Sequence, residues 1–515
     1  MPSCSFFRCP SPWLLATVIA LILGGGGWGW GCSDGSSNGP GHDGGLDGEV
    51  GDGSPPDGAE GDGHTEDCAA QVTEEVDIPM SDGKHLSAFV RRPETSGCEV
   101  PTILIQTPYD KTAARELWFD GDSEKNPLFA STDYAFVVVD WRGFYGSADA
   151  QVAQPDYGQD GYDTVEWIAT QPWSDGQVAT WGVSALCRIQ YWTAVEQPEH
   201  LVCGVPIFCS INNTYEEYYP GGVLRREYND TISALFGSNV VEDHPYEDMA
   251  WSYLGNLYDP ADVEVPMLVV AGWYDLDATA SIQTFRDMRA ATPAQVRDAH
   301  RLMVGPWHHF ATGGESSGGR QLTQQELTYY DSEKQIQKDS LAWFDHCLSG
   351  EQNEAASWST VRFVMDGPDR ETWLSAPSWP PPETSERTFY LTSSGELTDA
   401  SPTADTSTFP YDPTDPSPTV GGATLSPALL HGPHDQAEVI DRGDALVFMS
   451  APLGSPLSIR GEVSVELDVA TTGADTDFAV RLTDVAPSPS HLLIGEGIQR
   501  LKLRDSLSTP SEVIP

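Results

Sequence analysis

A chain of 515 residues is long enough for two or three domains, each with a substantial core. Its formal net charge of −50, from 77 acidic against 27 basic side chains, excludes a nucleic-acid binder that needs a basic face. Hydrophobic content of 39% is ordinary for a globular protein, so most of the chain is expected to fold.

At the N-terminus, Arg8 precedes the apolar run Trp13–Leu23, which is short for a membrane span and has the layout of an export signal. The run leads into Gly29-Trp30-Gly31-Cys32. This resembles a bacterial lipobox, in which the cysteine is lipidated, although Gly29 stands where leucine is usual. Segment 1–32 is therefore read as an export signal, with a lipid anchor on Cys32 set against plain secretion. Residues 33–67 are dominated by Gly, Asp, Ser and Pro, which cannot bury enough apolar surface to offset their ordering entropy. They are expected to form a disordered acidic linker. The repeated Asp-Gly there lacks the bidentate glutamate of a calcium loop.

From Thr73 the pattern changes. "EEVDIPMSDGKHLSAFVRRP" reads as two strands around the turn Asp82-Gly83. Thr102–Ile105, Ala135–Val139, Met267–Ala271 and Leu302–Val304 are near-continuous apolar runs, which suits strands buried on both faces of a parallel sheet. Helical spacing between them, as in Gly161–Gln171 with Val165 and Ile168, gives an α/β core over 68–210 and 264–352. Residues 211–263, rich in Tyr, Asn and Glu, break the rhythm and read as a helical insertion. In 353–515 the runs "VRFVM", "RTFYLT", "DALVFMS", "VSVELDVAT" and "DFAVRLTDV" suggest a β-sandwich. Cys68 and Cys98 flank the first hairpin and could pair in an oxidising compartment. No cysteine or histidine spacing suits zinc, so no metal is expected.

The chemistry centres on "ATWGVSALCRI" (Ala179–Ile189), a strand, a tight turn at Ser184 and a helix start. A serine needs a base and an orienting carboxylate to become a nucleophile. "MLVVAGWYDLDA" places Asp275 just beyond a buried strand, and "RLMVGPWHHF" does the same for His308 and His309. Functional groups collect beyond the carboxyl ends of strands in open α/β sheets. The order Ser184, Asp275, His309 is that of an α/β-hydrolase.

"PYDK" (108–111), "DWRGFYGS" (140–147), "DGYDTVEWIATQPWSDGQVATWGVS", "AGWYD" and "GPWHH" together resemble the cocaine esterase and X-prolyl dipeptidyl peptidase family of serine hydrolases. "WFDHCL" (343–348) and "GPHDQAEVIDRGDALVFMSAPL" (432–453) extend the likeness, from about Glu74 to Ser506. The resemblance implies an α/β-hydrolase core, an inserted helical cap and a C-terminal β jelly roll. It implies Ser184 as nucleophile, His309 as base, Asp275 as its partner, and no cofactor. It implies an oxyanion hole made by the Tyr109 hydroxyl and the Ala185 N–H. Ester, amide or X-Pro peptide substrates all follow from it, and oligomeric state is left open.

The departures from the family pattern are specific. The family's elbow is Gly-x-Ser-x-x-Gly, and Cys187 occupies its second glycine, where a small buried cysteine is expected to fit. Ala185 replaces a common tyrosine but keeps the backbone N–H. Asp277 stands where amino-acid ester hydrolases carry an acid that helps bind a substrate ammonium, with a solvated loop carboxylate as the alternative. Relatives continue through further jelly-roll strands beyond the position of Pro515, and an unfinished sheet would expose an edge. With Cys187, that departure supports a rival reading, a tethered binding protein on an inactive hydrolase scaffold.

Overall fold

The near-continuous apolar runs become strands covered on both faces. In a computed structural model, described for residues 68–119, 127–237, 240–255, 258–310, 332–365, 373–403, 406–426, 429–487 and 490–513, they assemble one large sheet. The export signal with Cys32 and the acidic linker lie outside the described residues. The hairpin β1 (Gln71–Pro79) and β2 (His85–Pro93) closes on Asp82-Gly83 and pairs antiparallel. Then follow β3 (Val100–Thr107), α1 (Lys111–Trp118), β4 (Ala135–Asp140), α2 (Tyr157–Ala169), β5 (Ser174–Val183), α3 (Ala185–Val195) and β6 (Leu201–Ile207). After the insertion come β7 (Leu268–Tyr274) and β8 (Arg301–His308). The sheet order is β1-β2-β4-β3-β5-β6-β7-β8, continued by two further strands, and every pair from β4 to β8 is parallel.

Alternate residues of each strand feed opposite faces. Ile103, Ile105, Phe136 and Val138 pack on one side, and Leu104, Val137 and Val139 on the other. Each such side chain contributes about 1.5–3 kcal/mol of burial. Helix α2 starts where Asp156 accepts from the Gln159 N–H at 3.0 Å, and it buries Val165 and Ile168 on the sheet.

The insertion is helical, as expected, through Tyr215–Tyr218, α4 (Arg226–Phe236) and Met249–Leu254. Its aromatic residues pack on each other: Tyr215 stacks on Tyr219 at 5.1 Å, and Trp251 meets Tyr215 edge-on at 5.3 Å. Helix α5 (Ala278–Ala291) follows β7, and α6 (Ser332–Cys347) carries the "WFDHCL" segment.

One strand assignment is corrected. "VRFVM", expected in the sandwich, contains β9 (Val361–Val364), which pairs parallel with β8 and extends the large sheet; β10 (Trp373–Ala376) closes that edge antiparallel. Val361 and Phe363 are buried on one face of β9 and Val364 on the other, which suits a strand inside the α/β sheet. Beyond it lies a β domain with two antiparallel pairs, β11 (Tyr390–Leu391) with β12 (Leu397–Thr398) and β13 (Asp477–Val485) with β14 (His491–Arg500). "DALVFMS" makes a single bridge, Glu396 to Met449, and "VSVELDVAT" joins no ladder. Val463, Val465 and Leu467 of the latter are exposed.

Three disulfides join described residues: Cys68–Cys98, Cys187–Cys209 and Cys203–Cys347. The first is the pair suggested by the hairpin. The second corrects the expectation that Cys187 is simply a small packed residue. Among the described residues no helix is long and apolar enough to cross a membrane.

Candidate active site

The parallel strands β3 to β8 end on one side of the sheet, and Tyr109, Ser184, Asp275 and His309 stand just beyond four of them. β5 ends at Val183, and Ser184 takes φ 60° and ψ −119°, a left-handed conformation costly for a side chain with Cβ. Its N–H donates to the Ile207 carbonyl at 3.0 Å, and its own carbonyl accepts from Cys187 and Arg188 at 3.0 and 3.1 Å. The strand is thereby turned into a helix within one residue. Gly182 is required there, because a Cβ would sit 2.4 Å from Cβ of Leu186.

Tyr109 follows β3. The chain around it is held by Asp140 at the end of β4, which accepts from the Lys111 N–H at 2.7 Å and the Gly146 N–H at 3.0 Å. This gives "PYDK" and "DWRGFYGS" a shared purpose: one motif fixes the other. The Tyr109 hydroxyl is fully buried, and burial pushes its pKa up to about 12 against the opposing pull of the Ser184 hydroxyl and Ala185 N–H hydrogen bonds. A neutral phenol and a backbone amide therefore converge beside the serine.

Asp275 follows β7 and His309 follows β8, the neighbouring strand. His309 Nδ1 lies 2.7 Å from Asp275 Oδ2, and both residues are 2% exposed. Burial disfavours the imidazolium, but the charge and hydrogen bond of Asp275, with a smaller push from Asp277, outweigh it. The His309 pKa lies above the usual histidine value. His308 faces elsewhere: its ring stacks on His431 at 4.8 Å, and burial pulls its pKa down to about 3.

Asp277 is no solvated loop carboxylate. It is 4% exposed, its Oδ1 has no hydrogen-bond partner, and burial, with Glu217 and Asp275 nearby, pushes its pKa up to about 8. Two neighbours were not legible as site residues. Arg188 lies one helical turn after Ser184 and pairs with buried Glu217 of the insertion at 3.2 Å. The helical spacing from Ser184 could have pointed to Arg188, whereas nothing local marks Glu217 among the acids of "TYEEYY". Tyr218 and Tyr228, 4.8 Å apart between ring centres, complete this buried polar cluster.

Asp275, Asp277 and His309 each offer a ligand atom within 4.8 Å of the others, the spacing of a metal-ligand set. Both Asp275 oxygens are already engaged, Oδ2 by His309 and Oδ1 by the Asp277 N–H at 2.8 Å. The arrangement serves the imidazole better than a cation.

Residues 82–248 and 236–311 match the X-Pro dipeptidyl-peptidase (S15 family) model, and residues 353–515 match the X-Pro dipeptidyl-peptidase C-terminal non-catalytic domain. The chain is 30% identical over 502 residues to the cocaine esterase of Rhodococcus sp. (strain MB1 Bresler), covering 85% of each protein. An aminopeptidase from a marine sediment archaeon (Thaumarchaeota archaeon) shares the fold with a TM-score of 0.71 at 21% identity, over 90% of this chain and 87% of that one. An α-amino acid ester hydrolase does so with a TM-score of 0.69 at 22% identity, over 88% and 86%. The chain is a hydrolase and belongs to the cocaine esterase and X-Pro dipeptidyl-peptidase family of serine hydrolases.

Proposed function

We propose that this protein hydrolyses esters or amides through an acyl-enzyme on Ser184, and that its preferred acyl group carries an ammonium next to the scissile carbonyl. His309 takes the serine proton at Nε2 while Asp275 holds Nδ1 and the ring's orientation. Ser184 Oγ attacks the carbonyl carbon, and the resulting oxyanion receives hydrogen bonds from the Tyr109 hydroxyl and Ala185 N–H. His309 returns the proton to the leaving alcohol or amine as the bond breaks. Water then enters, gives a proton to the same base, and releases the acid. The 2.7 Å contact between His309 and Asp275 is the observation that carries the reading.

The ammonium preference rests on Asp277. A buried carboxyl with an unpartnered oxygen is costly, and a substrate cation would both ionise and satisfy it. Its position beside Asp275 and His309 suits an amino group attached at the α carbon of the acyl part. A dipeptidyl substrate places its N-terminus one residue farther away. The test is a hydrolysis panel of p-nitrophenyl acyl esters, amino-acid esters and X-Pro anilides, run on wild type and Ser184→Ala. Hydrolysis favouring amino-acid esters and lost in Ser184→Ala, on the order of 10⁶ in kcat, is the expected result. Preference for X-Pro anilides would sink the single-residue assignment.

Export is part of the same proposal. Three disulfides among the described residues support folding in an oxidising compartment. A lipid on Cys32 would then hold the enzyme to a membrane through the acidic linker. Wild type in the membrane fraction and Cys32→Ala released from it is the expected outcome. Recovery of soluble wild type with an unlipidated N-terminal peptide by mass spectrometry would remove the anchor.

A further inference from the structure

The disulfide between Cys187 and Cys209 takes no part in the proposed chemistry, yet it joins two turns on which that chemistry stands. Cys187 is the third residue of α3, and its N–H donates to the Ser184 carbonyl at 3.0 Å. Cys209 follows Phe208, the first residue beyond β6. Both cysteines are buried, so the bond lies within the core beneath the site.

The connection continues past Cys209. Its carbonyl accepts from the Ser281 hydroxyl at 3.0 Å, and the Ser281 N–H donates to the Asp277 carbonyl at 2.8 Å. One covalent bond and two hydrogen bonds thus run from the elbow helix, under the end of β6, to the turn that carries Asp275 and Asp277. Phe208 itself takes φ 59°, and its ring centre lies 6.3 Å from that of His309. Ser184 and Phe208 are both non-glycine residues in the left-handed region. Such conformations persist only where their surroundings over-determine them.

We propose that the Cys187–Cys209 disulfide is a positioning element for the reaction. It holds the strained turns at Ser184 and Phe208 in register, so that the Ala185 amide and the His309 ring stay aligned with the serine. The inference rests on Ser184 being the nucleophile.

The Cys68–Cys98 disulfide supplies the control. It closes a sequence separation of 30 residues, against 22 for Cys187–Cys209, so the two loops give similar unfolded-state constraint. It lies before the start of β3, at the end of the sheet remote from Ser184. A purely structural role predicts lower melting temperatures in both double variants and unchanged turnover in both.

The experiment compares wild type, Cys187→Ala/Cys209→Ala and Cys68→Ala/Cys98→Ala at a temperature where each is folded. It measures kcat, KM and the rate at which a fluorophosphonate acylates Ser184. For Cys187→Ala/Cys209→Ala the expected loss is on the order of 10–10²-fold in kcat and in acylation rate, with KM little changed. The remote pair should keep wild-type turnover. Unchanged kcat in folded Cys187→Ala/Cys209→Ala, or an equal loss in the remote pair, overturns the proposal. If the first double variant does not fold, Cys209→Ala, which leaves a packed thiol at 187, is judged by the same two outcomes. A wild type that takes no label overturns the nucleophile assignment, and this inference with it. A labelled wild type isolates the question of the disulfide.

Discussion

Asp275 and Asp277 are joined by a hydrogen bond from the Asp277 N–H to Asp275 Oδ1 at 2.8 Å, which leaves Oδ2 free to face His309 at 2.7 Å. The turn after β7 therefore aims the carboxylate before any substrate arrives. Asp275→Asn preserves the shape but presents either the wrong atom or the wrong tautomer to His309. A loss on the order of 10⁴ in kcat is expected. Turnover within tenfold of wild type would mean that another acid orients the base.

Tyr109→Phe removes one of the two donors that converge beside Ser184. The ring is buried, and Phe fills nearly the same space, so the fold should hold. A loss on the order of 10²–10³ in kcat is expected, since a single oxyanion donor is worth that much. Unchanged kcat, with circular dichroism matching wild type, would assign the donor elsewhere.

How far these residues could be found from sequence depends on whether local pattern carries the information. Ala135–Val139 was legible as a strand because burial on both faces leaves no polar position. Ser184, Asp275 and His309 stand out as candidates because each follows such a strand directly, and the family motifs separate His309 from His308. Val361–Val364 reads as a strand of the C-terminal β domain but belongs to the large sheet. An apolar run states that it is buried, but its partner is set by the distant pairing of Val361 with Leu302. The Cys187–Cys209 bond was missed for a related reason. The motif marked Cys187 as a replaced glycine, and nothing local relates it to the end of β6. Glu217 was equally hidden, because its role exists only through the contact with Arg188.

The pH dependence of kcat/KM should report His309. Only the neutral imidazole can accept the serine proton, and Asp275 raises the pKa above the ordinary 6.5. Activity should therefore rise with pH through a midpoint above that value, and Asp275→Asn should move the midpoint down. His309→Ala should abolish turnover, whereas His308→Ala, which removes a ring stacked on His431, should lower stability more than kcat. A midpoint at or below 6.5 in wild type would contradict the electrostatics of the pair.

Asp277 offers the sharpest test of the buried polar cluster, because stability and substrate choice should move in opposite directions. Its pKa is about 8 in the fold against 3.8 as the reference value. Between these pH values the folded protein keeps a proton that the unfolded chain has released, so this group lowers stability as pH rises from about 4 to about 8, and no further above that. Asp277→Asn mimics the protonated carboxyl and cannot ionise. Its melting temperature should therefore gain on wild type across this window and then run parallel to it. The same variant can no longer supply a carboxylate to a substrate ammonium, so KM for amino-acid esters should rise while KM for neutral acyl esters stays near wild type. Thermal melts at several pH values, paired with kinetics on both ester classes, separate the two effects. A melting-temperature difference that does not vary with pH would show that Asp277 is already ionised in the fold. An equal rise in KM for both esters would show that it does not recognise the ammonium.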